Sequence, residues 1–107
     1  MDFRQYQNRA EDFSKFLSKK GRDRQLAAAL GIASEAGETV NEIKKVAFFD
    51  KPLDLPKIIE EIGDTLWGLA ELCSSLDISL DVCATLNLQK LADRHGDGFK
   101  PYGEQKR

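Results

Sequence analysis

Apolar residues recur at intervals of three and four along nearly the whole chain, and strand-like alternation is almost absent. The pattern predicts four helices. The first runs from about Asp2 to Ser18, with Phe3, Tyr6, Ala10, Phe13 and Leu17 on one stripe, and Lys19-Lys20-Gly21 closes it. The second begins near Asp23, a residue suited to an N-cap, and continues to about Ala47. Residues 49–54 form a loop, because Pro52 interrupts the pattern. A third helix runs from about Leu55 to about Ser74, with Pro56 tolerated in its first turn. After a turn at Leu76-Asp77-Ile78, Ser79 caps a fourth helix that reaches about His95. Residues 96–107 form an irregular tail that opens with a Gly/Pro-rich run. The expected architecture is all-α, a four-helix bundle-like protomer occupying residues 1–107 as a single domain, with no repeat, low-complexity segment or linker.

Composition narrows the function classes. The 107 residues are 41% hydrophobic and 32% charged, the balance of an ordinary soluble globular domain. Net charge is −2 and the pI is about 5.4, so no overall basic field attracts nucleic acid. An anionic substrate therefore needs local basic residues or a metal ion. Cys73 and Cys83, the only cysteines, are too few for a disulfide scaffold or a four-cysteine zinc site. Both are expected as buried free thiols. The first residues lack the apolar core of a signal peptide, and no apolar run approaches the roughly 18–20 residues that span a bilayer. No membrane role is expected, and the cytoplasm is the default location.

Two pairs of carboxylates carry the candidate chemistry. Helix 2 contains Glu35-Ala36-Gly37-Glu38 and helix 3 contains Glu61-Ile62-Gly63-Asp64. Acids three residues apart share a helix face, and their repulsion weakens the helix unless a cation sits between them. If the two helices pack antiparallel, the pairs converge into a four-carboxylate cluster whose hard oxygens suit magnesium or manganese. The opposing reading is a solvated outer face, since Glu35, Glu38 and Glu42 lie across the wheel from Leu26, Leu30, Ala33, Gly37 and Val40. Glycine costs a helix about 1 kcal/mol against alanine, so Gly37, Gly63 and Gly68 call for a packing or site explanation. Gly68 falls one turn past Asp64, where a missing side chain leaves room for a ligand.

Asn87, Lys90 and Arg94 share one face of helix 4 and fall among Leu80, Cys83 and Leu91. Such a face either lines a phosphate-binding pocket or snorkels at the edge of the core. Trp67 follows Asp64 by about one turn, placed to stack on a base or to pack in the core. The single histidine, His95, fits a helix-terminal surface role. The chain holds no Glu-x-x-His di-iron motif, no phosphate-cradling glycine loop and no Ser-His-Asp set.

In these words, Ser34-Glu35-Ala36-Gly37-Glu38, then Glu60-Glu61-Ile62-Gly63-Asp64-Thr65-Leu66-Trp67, then Asn87-Leu88-Gln89-Lys90-Leu91-Ala92-Asp93-Arg94, the chain resembles the MazG-like nucleotide pyrophosphohydrolases. The similarity runs from helix 2 to about Phe99. The resemblance implies a magnesium-binding set of Glu35, Glu38, Glu61 and Asp64, with manganese as a possible substitute. It implies that Asn87, Lys90 and Arg94 hold phosphate and sugar, and that the site is built within a homodimer, often paired into a homotetramer. The implied reaction cuts a nucleoside triphosphate between its α and β phosphates, releasing monophosphate and pyrophosphate. One carboxylate, with Glu38 preferred, takes the proton of the attacking water. One-metal and two-metal arrangements both stay open. Two alternatives stand beside this reading: a dUTPase-like or dCTPase-like pyrimidine-selective relative, and a non-catalytic helical oligomerisation module.

Overall fold

Four helices follow one another, α1 (Phe3–Ser14), α2 (Gly21–Phe49), α3 (Leu55–Ser75) and α4 (Leu80–Arg94), with no strand among the described residues. The computed structural model describes residues 1–14 and 20–95. The expected end of the first helix at residues 15–18, with Leu17, lies outside them, as do Lys19 and the tail from Gly96.

Local chemistry accounts for most helix ends. Asp2 and Gln5 cap α1 reciprocally: the Asp2 N–H donates to Gln5 Oε1 at 2.9 Å and the Gln5 N–H to Asp2 Oδ1 at 2.8 Å. Asp54 opens α3 by accepting from the Lys57 N–H at 3.1 Å, with Pro56 in the first turn. Ser79 opens α4 by accepting from the Val82 N–H at 3.3 Å. The start of α2 departs from expectation. It begins at Gly21, where φ is +56°, behind Lys20, which makes no side-chain cap. Asp23 instead sits in the first turn, its charge facing the positive end of the helix. At the other end α2 runs on to Phe49 and stops at Asp50 in the left-handed conformation (φ 53°), with the Lys51 N–H bonded to Lys45 O at 3.2 Å.

The five residues between α2 and α3 turn them into an antiparallel hairpin, the most extensive pairing in the protein. Close approach is made at Gly68, where a Cβ would stand 2.9 Å from Ile32 Cγ1. Helix α1 lies on α3 and reaches the start of α4, enclosing a small cluster of Ala10, Ala70, Cys73 and Leu80 with Tyr6, Leu66 and Trp67 packed against it. Gln7 ties the turn into α4: its amide donates to Ile78 O at 2.9 Å and accepts from the Leu80 N–H at 2.8 Å. Arg24 binds three helices together, with Nη2 2.7 Å from Glu11 Oε2 on α1 and 2.8 Å from the buried Glu71 Oε1 on α3. Helix α4 does not pack on α2. Among the described residues no helix is long and apolar enough to cross a membrane.

One expectation is corrected. Cys73 is buried but Cys83 is exposed. The apolar stripe of α2 faces outward: Leu26, Leu30 and Val40 are 58%, 61% and 65% exposed, whereas Glu35 and Glu42 are half-buried. Ile59, Ile62 and Leu69 of α3 are exposed as well. Periodicity reports that a stripe avoids water, not which surface covers it. Within this chain Ile32 packs on Gly68 and Ile58 is buried, while the apolar residues just named stay outside.

Candidate functional site

The antiparallel register sets Glu35 and Glu38 of α2 against Glu61 and Asp64 of α3. Carboxylate oxygens of Glu35, Glu38 and Glu61 lie within 4.8 Å of one another, and so do those of Glu60, Glu61 and Asp64. Glu61 belongs to both groups and joins them into one cluster. It is only 1% exposed, while Glu38 and Asp64 are exposed. Buried oxygens Oε2 of Glu35 and Oε2 of Glu61 receive no donor among the described residues. Buried polar atoms left this way are rare in folded proteins and ask for a proton or a cation. An all-oxygen donor set at this spacing fits a hard divalent ion.

The electrostatics agree. Glu35 is pushed up to about 7, first by its hydrogen bond to Glu61, then by burial and the charges of Glu38, Glu61 and Asp64. Glu38 is also raised, chiefly by a hydrogen bond to Glu61 and that group's charge, with Lys57 opposing. Glu61 is lowered, because Glu38, Glu35 and Lys57 all hydrogen-bond to it. Glu35 and Glu38 thus hold their protons more tightly beside a central Glu61 that gives its proton up more readily. Lys57 Nζ, 3.1 Å from Glu61 Oε1, adds a positive charge from one turn earlier on α3. That same bond raises Lys57.

Trp67 is half-buried against the core cluster and also lines an open cleft of about 310 Å³ with Met1, Tyr6, Arg9, Ala10 and Phe13. Tyr6, which lines the same cleft, is raised by burial and then by the charge of Asp64. Asn87, Lys90 and Arg94 are exposed on α4, which does not pack on the helix bearing Glu35 and Glu38. Gly68 leaves no room for a ligand: Ile32 fills the space, and the glycine serves helix packing. Gly37 and Gly63 face nothing within 4 Å among the described residues.

Two participants escape the sequence reading. Lys57 has a signal, its place four residues before Glu61 on the same helix face. Glu60 stands beside Glu61 in the chain, but adjacent residues do not share a face, so only the structure brings it in.

The family model of the MazG nucleotide pyrophosphohydrolase domain matches residues 24–99, a stretch that holds all four paired acids and Asn87, Lys90 and Arg94. The Gene 37 protein of Mycobacterium phage L5 is 34% identical over 74 residues, which cover 64% of this chain and 64% of that protein. The chain therefore spans just under two-thirds of the length of that curated relative. No solved structure matches.

Proposed function

The chain belongs to the MazG nucleotide pyrophosphohydrolase domain family, and from that membership and its clustered acids we propose that it is a magnesium-dependent hydrolase of nucleoside triphosphates, releasing the monophosphate and pyrophosphate. The observation that carries this reading is the pair of buried carboxylate oxygens on Glu35 and Glu61 that no donor among the described residues satisfies. They lie in a cluster of hard ligands completed by Glu38 and Asp64, suited to magnesium or manganese.

Glu35, Glu38, Glu61 and Asp64 would hold a divalent cation, which when bound would supply charge neutralisation of the triphosphate and acidify the attacking water. The chain's own residues divide the remaining work. Glu35 and Glu61, turned inward, hold the seat, Glu35 giving up its proton. Glu38 is exposed beside them and takes the proton of the water that attacks the α-phosphorus. Trp67 stacks on the base in the cleft that it shares with Tyr6, Arg9 and Phe13.

In this reading the phosphate-binding side chains come from a second copy. Asn87, Lys90 and Arg94 stand on the helix that does not pack on α2, and the outward stripes of α2 and α3 form an apolar surface broad enough to demand a cover. A homodimer, or two of them as a tetramer, buries those stripes and lets α4 of one copy serve the acids of the other. A cytoplasmic site of action goes with this substrate.

The test is hydrolysis of a panel of ribo- and deoxyribonucleoside triphosphates, with and without magnesium, resolving pyrophosphate from orthophosphate. Metal-dependent pyrophosphate release supports the reading, and the ranking of bases separates a general enzyme from a pyrimidine-selective one. No hydrolysis with any metal sinks it and favours a non-catalytic oligomerisation module.

A further inference from the structure

Helix α4 is held at one end. Of its residues only Leu80 is buried, and every residue from Thr85 to Lys90 is exposed. It pairs with α1 and α3 but does not pack on α2. At the held end stands Gln7, half-buried on α1. Its Nε2 donates to Ser74 Oγ at 3.1 Å, near the end of α3, and to Ile78 O at 2.9 Å in the turn. Its Oε1 accepts from the Leu80 N–H at 2.8 Å. Leu80 is the first residue of α4, and the first N–H groups of a helix have no partner within it. One amide thus grips the end of α3, the turn and the start of α4 together. Only one orientation of it serves, because Ile78 offers an acceptor where Leu80 offers a donor. A second tie from α1 is weak: Arg4 Nη2 and Asp81 Oδ2 stand 3.9 Å apart, with both side chains exposed.

We propose that Gln7 is the positioning residue that aims α4, and with it Asn87, Lys90 and Arg94, at the triphosphate. What α4 grasps follows from the nucleotide reading, on which this role rests; what aims it is the amide on α1. Lys90 lies about 15 Å along the helix axis from Leu80. A tilt of about 10° at the root therefore moves it by roughly 2.5 Å, more than the roughly 1 Å of misplacement that already costs a positioned group its effect. Among the described residues, little packing along 85–90 resists such a tilt.

Two variants at Gln7 test the role. Gln7→Leu fills the same space without hydrogen bonds. Gln7→Glu keeps an acceptor for the Leu80 N–H and places a negative charge at the positive end of α4. Amide exchange, read by mass spectrometry, should quicken about tenfold or more across residues 80–90 in Gln7→Leu, with the α2–α3 hairpin unchanged. Gln7→Glu should restore most of that protection. In hydrolysis, Gln7→Leu should raise KM for the triphosphate about tenfold and change kcat by less than about threefold, because phosphate contacts serve ground and transition states alike. In a background lacking both cations (Lys90→Ala with Arg94→Ala), Gln7→Leu should raise KM little further, since the groups it aims are gone. A merely structural loss would not show that coupling. Independent, multiplying effects would overturn the proposal, as would unchanged exchange along α4 in Gln7→Leu. If the unaltered protein cuts no nucleotide, the nucleotide reading fails by itself, and exchange along α4 alone then supports or overturns the role of Gln7.

Discussion

Lys57 Nζ lies 3.1 Å from Glu61 Oε1, so the acidic cluster draws a counter-charge from its own helix. Replacing it with methionine (Lys57→Met) leaves Glu61 with fewer donors in a nearly buried place. The metal-free variant should melt below the unaltered protein, and magnesium should close most of that gap by supplying the missing charge. Thermal denaturation in chelator and in magnesium reads both quantities. Equal destabilisation in the two buffers would mean that Lys57 acts elsewhere.

The pH dependence has a definite sign. Glu35 is raised to about 7 in the folded protein, so between its ordinary value and 7 the native state holds a proton that the unfolded chain has released. That contribution is fully present below the ordinary carboxylate range and is lost as pH rises through about 7. Glu71 opposes it: burial raises this acid, but the bonds from Arg24 and Ser14 leave it lowered, so its contribution is lost as pH falls. Comparison with Glu35→Gln isolates the first effect. Without metal, the stability of the unaltered protein relative to this variant should decline from about pH 5 to about pH 8. Denaturant titrations across that range check it, and a flat difference would refute the proton held on Glu35.

Glu38→Gln and Asp64→Asn should each reduce pyrophosphate release by at least about 100-fold, the scale of a lost general base or metal ligand. Far-ultraviolet circular dichroism should stay unchanged, because both residues are exposed. Near-normal turnover in either variant would remove the proposed site.

Arg24 offers a separate test of the scaffold. Arg24→Leu strands Glu71, whose side chain is only 6% exposed, and should cost about 3–5 kcal/mol in urea denaturation. Adding Glu71→Leu should recover a large part of that loss. Independent, additive losses would show that the two charges do not depend on each other.

Two glycines should respond in opposite ways. Gly68→Ala drives a methyl group to within 2.9 Å of Ile32 Cγ1, on a side chain stiff at its branch point, and should cost about 1–3 kcal/mol. Gly63→Ala meets nothing among the described residues and should gain up to about 1 kcal/mol in the monomer. A loss at Gly63, measured by the same melts, would reveal that another copy covers this face.

Much of the fold is legible in the sequence because its determinants are local. Asp54, Pro56 and Ser79 mark helix starts within a residue or two, since capping bonds reach only three residues ahead. The start of α2 is harder, because Lys20 makes no side-chain cap and Asp23 resembles one. The acids are legible as pairs, and the short loop after α2 implies that they meet. The direction in which α2 turns is not legible. Its wheel separates leucines from glutamates but gives no reason to send the glutamates inward, which follows only from the counter-charge and cation that α3 can offer them. Exposure of Cys83 is hidden for a related reason: its flank of apolar residues signals burial, while α4 has too little of the chain packed on it to provide that.

Helix α2 is a rod of 29 residues with its carboxylates and its leucines on different sides. Each residue added to or removed from such a rod rotates everything beyond it by about 100°. A single-residue deletion between Leu30 and Glu35 would swing both acids off Glu61 and carry Val40 round with them. Seven residues make nearly two whole turns and would restore the phase, although the acids would then slide along α3. The helix is therefore locked in length as well as in composition. A lengthening of the α2–α3 hairpin belongs in its loop at residues 50–54, where rotation has no meaning.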